Sequence, residues 1–343
     1  MATDYPMKTI DLRSDTFTKP VAAMKQAMFT AQLGDDVYGE DPTVNMLEKK
    51  AAALLGKEEA IFCSSGTQSN LIALMAHCDR GDEYIVGQDA HTYKYEAGGA
   101  AVLGSIQPQP ILFDTDGTLN LDTVKSVIKP DDNHFAKTKL LCLENTTGGK
   151  ALPLDYLNKA KDVVDEYQLA FHLDGARLFN AVVSQGVDVK QITTVFDSIS
   201  ICLSKGLGAP IGSVLVASSE IIAKARRIRK MLGGGMRQAG MLAAAGIYAL
   251  DNHLQRLDDD HRNAQSLAQG LATIEGITVH GCAQTNMVFF SAQKQQQLID
   301  FLANKNIIMS NGKVIRLVTH LDVNSDDVAN VITAVEEFYS NNK

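Results

Sequence analysis

The chain has 343 residues, of which 45% are hydrophobic and 21% are charged, and its formal net charge at pH 7 is −8. This composition is typical of a globular protein with a sizeable core, and its scattered basic residues exclude a nucleic-acid surface, which needs a basic stripe. The one basic cluster, at 225–230 (ARRIRK), is interpreted as a solvated helix face. Because the sequence contains no run of about 18 apolar residues and no export signal at its start, we expect no membrane partner.

The cysteines favour a reducing compartment. None of them forms a C-x-x-C pair, and three lie inside apolar runs, as reduced core thiols do. They are Cys63, Cys78, Cys142, Cys202 and Cys282. We therefore expect a cytoplasmic protein without a bound metal ion.

The first two thirds of the chain carry the pattern of an α/β sheet. From about residue 58 to residue 216, short apolar runs alternate with amphipathic stretches, which predicts a mostly parallel sheet with helices on both faces. Stretches such as SNLIALMAHC and LPLDYLNKAKDVVDEY are long enough to be crossover helices. The predicted strands are EAIFCS, EYIVGQ, IQPQPILF, KLLCLEN, LAFHLDG, SISICLS and GSVLVAS.

The pattern changes after residue 219. Long helical segments follow, interrupted by GGGM at 233–236, and the last stretch alternates short strands and helices. We predict two domains: an N-terminal arm plus a large domain over residues 1–252, and a small C-terminal α+β domain over residues 253–343.

Polar residues follow the predicted strands, where ligands bind in open parallel sheets. Cys63 is followed by SSGTQSN and a helical pattern, which predicts a phosphate-binding turn, although the same residues also cap ordinary helices. His91 opens the next loop, either as a flat stacking surface or as a capped loop residue. Asp174 closes LAFHLDG, with Arg177 three residues further on, and these two side chains could also pair only with each other.

A lysine follows the next strand. Lys205 comes after SISICL and before Gly206 and Gly208, which we expect to leave space around the amine. A phosphate turn, a flat ring, a carboxylate and an amine together match pyridoxal phosphate (PLP), whose aldehyde a lysine binds as a Schiff base. The alternative is a glycine-rich nucleotide loop, but the G-x-x-x-x-G-K-[ST] order and an early G-x-G-x-x-G pattern are both absent.

Nine stretches, in the same order along the chain, resemble motifs of the threonine aldolases among the fold-type-I PLP enzymes. They are IDLRSDT, GDDVYGEDPTVNMLE, SSGTQSN, HTYKYEAGG, LCLENT, HLDGARLFNA, SICLSKGLGAPIGS, GGGMRQAG and IRLVTH. The resemblance is closest to L-allo-threonine aldolases and their low-specificity relatives. It implies an α/β fold with a large, mostly parallel seven-stranded sheet, and cleavage of β-hydroxy-α-amino acids to glycine and an aldehyde.

The resemblance also implies roles for individual residues. It places Lys205 as the Schiff-base lysine, Asp174 as the partner of the pyridine nitrogen, and His91 over the cofactor ring. The cofactor-binding residues that it implies are Gly66, Thr67, His91, Asp174, Arg177, Ser204, Lys205 and Arg237. The substrate carboxylate is expected at Ser14, Arg177 and Arg316, and guanidinium groups suit a carboxylate because they bind it through two hydrogen bonds.

Two further implications concern neighbouring subunits. Arg237 matches an arginine that reaches the phosphate from another subunit, so the resemblance implies a dimer with shared active sites, and a homotetramer is expected. His134 matches a histidine that contacts the substrate hydroxyl, so His91 and His134 are both candidates for the base. Thr147 stands where the family often has histidine, and that loop is given no catalytic part.

Other functions remain open at this point. Lys205 and Asp174 would serve any fold-type-I reaction, so transamination or β-elimination is the alternative enzyme activity. A non-catalytic nucleotide- or phosphate-binding regulator is the alternative outside enzymes. The sequence does not decide between L-threo and L-allo substrates.

Overall fold

The computed structural model describes residues 8–341. Its strands are β1 (Ile10–Asp11), β2 (Glu59–Cys63), β3 (Glu83–Gly87), β4 (Gln107–Ile111), β5 (Thr138–Glu144), β6 (Ala170–Gly175), β7 (Ser198–Cys202), β8 (Ser213–Ala217), β9 (Ile277–Val279), β10 (Met287–Ala292), β11 (Ile307–Ile308) and β12 (Ile315–Val318). All seven strands predicted for the large sheet are present, as β2 to β8.

The helices lie between and after these strands. They are α1 (Ala22–Phe29), α2 (Pro42–Leu55), α3 (Gly66–His77), α4 (His91–Lys94), α5 (Gly99–Val102), α6 (Leu121–Val127), α7 (Leu154–Glu166), α8 (Leu178–Gln185), α9 (Val189–Thr193), α10 (Ser219–Met231), α11 (Gly240–Asn252), α12 (Leu257–Ala272), α13 (Gln295–Ala303) and α14 (Ser325–Asn341). Single 3₁₀ turns occur at Asp15–Phe17 and Asp36–Tyr38.

The large sheet has the strand order β2-β8-β7-β6-β5-β3-β4. Only β8 runs antiparallel to its neighbours, and the other strands run in one direction. The carboxyl ends of β2, β7, β6, β5 and β3 therefore meet at one edge, which is where a ligand site is expected.

Helices cover both faces of this sheet, which explains why its strands are continuous apolar runs rather than alternating ones. Every residue of β7 and of β8 is buried. On one face Phe62 and Phe171 pack with residues of α2 and α7, and on the other face Ile72 of α3 packs with Ile222 of α10. The two cores hold the sheet rigid, and its carboxyl edge supports the loops described below.

A second, smaller unit has its own core. Strands β9, β10 and β12 form an antiparallel sheet in the order β12-β10-β9. Strand β1 pairs in parallel with β11, and Ile10 and Leu12 lie in the same core as Phe290 and Val331. The N-terminal arm thus packs into the smaller unit, and the boundary after residue 252 stays a prediction.

The interpretation of 225–230 as a solvated helix face is wrong for half of that stretch. Arg229 is buried, donates to Asp36 at 2.8 Å, and also donates to the carbonyl of β2 residue Phe62. Arg226 pairs with Glu48 at 2.7 Å. Both side chains reach β2 or α2, but Arg226 stays 41% exposed, whereas Arg229 needs its partners because isolated charge burial is costly.

The cysteines are free thiols, and four of the five are buried, whereas Cys282 is exposed. Across residues 8–341, none of the helices combines the length and the apolar character needed to cross a bilayer.

Candidate active site

Lys205 lies three residues beyond the end of β7, in a turn at the carboxyl edge of the sheet. Its backbone carbonyl accepts hydrogen bonds from the Thr18 hydroxyl and from the Gly208 N–H, both at 2.8 Å. Its half-buried amine makes no hydrogen bond or ion pair within residues 8–341. The turn is fixed through its backbone, and the amine stays available for chemistry.

The prediction that Gly206 and Gly208 leave space for a cofactor is wrong. A Cβ atom at Gly206 would lie 2.9 Å from Leu257 Cδ2, and one at Gly208 would lie 2.8 Å from Leu321 Cδ2. Gly208 also has φ +76°, a left-handed conformation that glycine adopts without strain. Both glycines let the turn pack against the protein, which orients Lys205.

Asp174 ends β6 almost fully buried, with 2% of its surface exposed. Its Oδ2 accepts a hydrogen bond from Asn70 Nδ2 at 2.9 Å, and its Oδ1 accepts one from the Ala176 N–H at 3.1 Å. The alternative pairing of Asp174 with Arg177 is therefore wrong.

Arg177 pairs instead with Asp15, a fully buried residue 162 positions away in the sequence. Arg177 Nε and Nη2 donate to the two Asp15 oxygens at 2.8 and 2.6 Å. Burial by itself raises the pKa of Asp15, but the Arg177 charge and hydrogen bonds, with Lys205, bring that pKa down to about 2. The pairing fixes the guanidinium plane and leaves Arg177 Nη1 free for a ligand.

Two further predicted substrate residues belong to this region. Burial and, after it, the charge of Arg177 lower the pKa of Arg316, which lies in β12 and donates through Nη2 to the Arg13 carbonyl at 3.3 Å. Ser14 Oγ accepts the Thr16 N–H at 3.2 Å and caps the short turn that contains Asp15. A guanidinium group binds a carboxylate through two hydrogen bonds.

His91 begins α4, directly after β3, with its side chain 40% exposed. Its Nδ1 lies 2.8 Å from Glu96 Oε1, and its backbone N–H donates to Glu144 Oε2 at 2.7 Å. Burial, followed by the charge of Asp174, raises the pKa of Glu144. Sequence reasoning gave Glu96 no role, although HTYKYEAGG contains it.

His91, Glu96 and Asp174 also offer ligand atoms that lie within 4.8 Å of one another. Those atoms already have partners, because Glu96 contacts His91 and Asn70 donates to both carboxylates. The hydrogen bonds account for the cluster without a metal ion.

The turn after β2 has the form of an anion site. Ser65 caps α3 by accepting the Gln68 N–H at 3.1 Å, and Gly66 and Thr67 are the first residues of the helix. The first N–H groups of a helix lack intrahelical partners and bind phosphate well. A Cβ atom at Gly66 would lie 2.7 Å from Cys202 Sγ, so glycine is needed for α3 to approach β7.

The predicted cofactor residues other than Arg237 fit PLP as a group. Ser204 and Lys205 follow β7 and the anion site follows β2, whereas Asp174 and His91 supply the carboxylate and the flat ring. All of them lie at the shared carboxyl edge of the sheet. The donor set therefore matches the phosphate, the aldehyde and the pyridine nitrogen of this cofactor.

His134 and Arg237 lie elsewhere in the chain. His134 precedes β5, at the opposite edge of the sheet, with its side chain 80% exposed and its Nδ1 2.6 Å from Asp132 Oδ1. Arg237 lies between α10 and α11 and donates to Asp35 at 3.0 Å. Within the described chain, neither side chain forms a hydrogen bond or ion pair with Lys205.

This fold, with a free lysine amine at the carboxyl edge of its sheet, defines the class of PLP fold-type-I enzymes. A solved threonine aldolase from Leishmania major shares the fold, with a TM-score of 0.84 at 22% identity, covering 96% of this chain and 99% of that one. The model of the beta-eliminating lyase family matches residues 11–294, and the chain belongs to this family.

Curated relatives are more similar in sequence. The low specificity L-threonine aldolase of Escherichia coli K12 is 56% identical over 324 residues, which are 94% of this chain and 97% of that protein. The low specificity L-threonine aldolase of Saccharomyces cerevisiae is 40% identical, over 96% of this chain and 86% of that protein. The predicted family resemblance and the predicted fold class are both confirmed.

Proposed function

We propose that this chain is a PLP-dependent aldolase that cleaves L-threonine and L-allo-threonine to glycine and acetaldehyde. The observation that carries the proposal is the free Lys205 amine on the same sheet edge as buried Asp174 and as Arg177, whose guanidinium is held by Asp15. The names of the relatives from Escherichia coli and Saccharomyces cerevisiae support the substrate. We also propose the cytoplasm as its location, since the cysteines are free thiols.

Several residues would hold the cofactor and tune it. When bound, PLP supplies an electron sink for the charge that remains at Cα after the Cα–Cβ bond breaks. Lys205 would bind the cofactor aldehyde through Nζ and move protons at the reacting carbon. Asp174 would keep the pyridine nitrogen protonated, with its own charge held in place by Asn70. Gly66, Thr67 and Ser204 would bind the phosphate.

Arg177 and Arg316 would bind the substrate carboxylate, and Ser14 would contact it. Asp15 occupies two donors of Arg177 and so fixes the direction of the third nitrogen, Nη1. A carboxylate held in one orientation places the Cα–Cβ bond reproducibly, which is the main benefit of a bidentate clamp.

The function is tested by supplying the purified holoenzyme with each diastereomer and identifying the products. We expect equal amounts of glycine and acetaldehyde. Transamination would instead give a 2-oxo acid that keeps the hydroxyl group, and β-elimination would give 2-oxobutanoate and ammonia. A protein that binds no PLP and turns over neither substrate would be a phosphate-binding regulator.

The base that takes the hydroxyl proton is tested with His91→Phe and His134→Phe. We propose that both histidines act, so each variant should lose about 10²–10⁴-fold in turnover, the usual effect of removing a general base. Rates are measured separately on L-threonine and L-allo-threonine. Because His134 precedes β5, at the edge of the sheet opposite Lys205, its action requires its own loop or the loop of a neighbouring subunit to fold over the pocket. An unchanged rate and an unchanged diastereomer ratio in His134→Phe would make it an ordinary loop residue.

We propose a homodimer with shared active sites, assembled into a tetramer. Two observations support a covered surface near Arg237. Tyr38 and Met231 are large apolar side chains with 75% and 68% of their surface exposed, which a partner would cover. A cavity of about 810 Å³ is lined by Tyr38, Val37, Gly235 and cationic residues of α10.

Arg237→Ala should weaken PLP retention if Arg237 serves the site of its neighbour. Mixing this variant with Lys205→Ala should then restore activity, because one site of each hybrid dimer combines an intact lysine with an intact arginine. The alternative is that Arg237 serves the phosphate site of its own chain. It has a structural basis, since Gly234, three residues before Arg237, lies beside Gln68 in the first turn of α3. Hybrids that stay inactive despite measured subunit exchange would establish that alternative.

A further inference from the structure

Glu96 is a buried carboxylate that the proposed reaction does not use. Only 6% of its surface is exposed, and it comes two residues after the end of α4, the helix that His91 begins. Its Oε1 lies 2.8 Å from His91 Nδ1 and 2.9 Å from Asn70 Nδ2. Because burying a carboxylate is costly, these contacts need a structural or functional reason.

Asn70 links Glu96 to Asp174. Its amide nitrogen is 2.9 Å from Glu96 Oε1 and 2.9 Å from Asp174 Oδ2. An amide nitrogen carries two N–H groups, so it donates one to each carboxylate, whereas an amide oxygen in that place would face two acceptors. The orientation of the amide is therefore fixed, and Asn70 neutralises part of the repulsion between the two carboxylates.

The other end of Asn70 supports the same orientation. His172 Nε2 lies 3.3 Å from Asn70 Oδ1, so this nitrogen carries the proton and donates it. His172 Nδ1 then accepts from the Ser198 hydroxyl at 2.7 Å. Burial, with the neighbouring His77, lowers the pKa of His172 to about 3, so this ring is neutral and has one tautomer.

The groups around His91 determine which of its two ring nitrogens carries a proton. A carboxylate only accepts hydrogen bonds, so Nδ1 of His91 must donate to Glu96. Nε2 has no hydrogen-bond partner within residues 8–341. The charged groups that face the ring are Glu96 and Asp174, which favour its protonation, and Lys205, which opposes it. Glu144 contacts only its backbone N–H.

We propose that Glu96 is a positioning residue that holds the Nδ1–H tautomer of His91, so that Nε2 accepts the proton of the substrate hydroxyl. This inference rests on the proposed aldolase function. Asn70 holds Glu96 in place and, through the same amide nitrogen, holds Asp174. One buried amide thus orients both the base and the partner of the pyridine nitrogen.

The proposal predicts a pH effect with a defined sign. The hydrogen bond to Glu96 raises the pKa of His91, although burial opposes it, so the neutral ring that can accept a proton predominates only at higher pH. In Glu96→Gln the amide oxygen still accepts from Nδ1 but the negative charge is gone. The titration midpoint of His91 and the acid limb of kcat/KM should both move to lower pH.

The direct test is NMR of the holoenzyme with ¹⁵N- and ¹³C-labelled histidine, in which His91→Gln identifies the signal among the eight histidines. Wild type should show protonated Nδ1 and unprotonated Nε2 in the neutral ring. Glu96→Gln should keep this tautomer with a lower midpoint. Glu96→Ala should lose the tautomer preference and about 10–100-fold in kcat/KM, as for other groups that orient a functional side chain.

Glu83→Gln is the matched control, because Glu83 is a fully buried glutamate at the opposite edge of the sheet, hydrogen-bonded to Thr138. It should leave the His91 midpoint unchanged even if it lowers stability. An Nε2–H tautomer in the wild type would overturn the proposal, and so would an unchanged midpoint in folded Glu96→Gln. The NMR result does not depend on turnover. If the proposed aldolase function is wrong, this appears separately, because the wild type then forms no glycine.

Discussion

Lys205→Ala should abolish the covalent attachment of PLP and nearly all activity, while the protein still folds. Lys205 contributes to the turn through its backbone carbonyl, which accepts from Thr18 and Gly208, and the substitution leaves that carbonyl intact. Loss of proton transfer alone costs about 10²–10⁴-fold, and loss of the covalent step adds to it. Borohydride reduction followed by peptide mapping should find the cofactor on Lys205 in the wild type and on no lysine in the variant.

Lys139→Ala provides the matched control, because Lys139 is also partly exposed but lies at the start of β5, on the opposite edge of the sheet. This variant should keep full activity, and after borohydride reduction its cofactor should still be found on Lys205. Thermal unfolding of both variants should resemble that of the wild type. Substantial turnover in Lys205→Ala, or a reduced cofactor on a different lysine, would show that another amine does the chemistry.

The strands of the large sheet could be predicted because each is a short, continuous apolar run followed by polar residues. KLLCLEN and SISICLS became β5 and β7, and both are buried on two faces. Such runs are typical of parallel strands covered by helices. The same reasoning predicts the site at the carboxyl edge, since Asp174 lies near the carboxyl end of β6 and Lys205 follows the neighbouring strand β7.

Hydrogen-bond partners could not be predicted from spacing. Arg177 is three residues from Asp174, yet the carboxylate to which it donates is that of Asp15 in the N-terminal arm. That arm is placed by tertiary contacts, including the pairing of β1 with β11 in the smaller unit. The Glu96–Asn70 contact likewise joins α4 to α3 and depends on how these elements pack. Tertiary packing decides such partners, so sequence alone leaves them open.

The glycines after Lys205 show a different limit. A glycine in a sequence indicates that a side chain would be unfavourable at that position. The physical reason depends on which atoms a Cβ would contact, and this is known only from the structure. At Gly206 that neighbour is Leu257, at the start of α12. The roles of His134 and Arg237 stay predictions, because the contacts proposed for them involve a neighbouring subunit.

Asp174→Asn should retain some PLP but lose most of the rate. A neutral amide does not keep the pyridine nitrogen protonated, so the charge that develops at Cα is stabilised less. Removing one electrostatic contact of this kind commonly costs about 10²–10³-fold in kcat. The change is assayed as kcat on L-threonine, with PLP content measured on the same sample.

The substitution also disturbs local hydrogen bonds, and this effect must be separated from the chemistry. Asp174 accepts from both Asn70 and Ala176, so an amide nitrogen in place of one oxygen would leave a buried donor unpaired, at a cost of about 1–3 kcal/mol in stability. Reconstituting Asp174→Ala with N1-methylated PLP, which carries a permanent positive charge, isolates the electrostatic role. We expect this cofactor to restore part of the rate. Near-normal turnover in Asp174→Asn, or no recovery with the methylated cofactor despite its binding, would reduce Asp174 to a structural partner of Asn70.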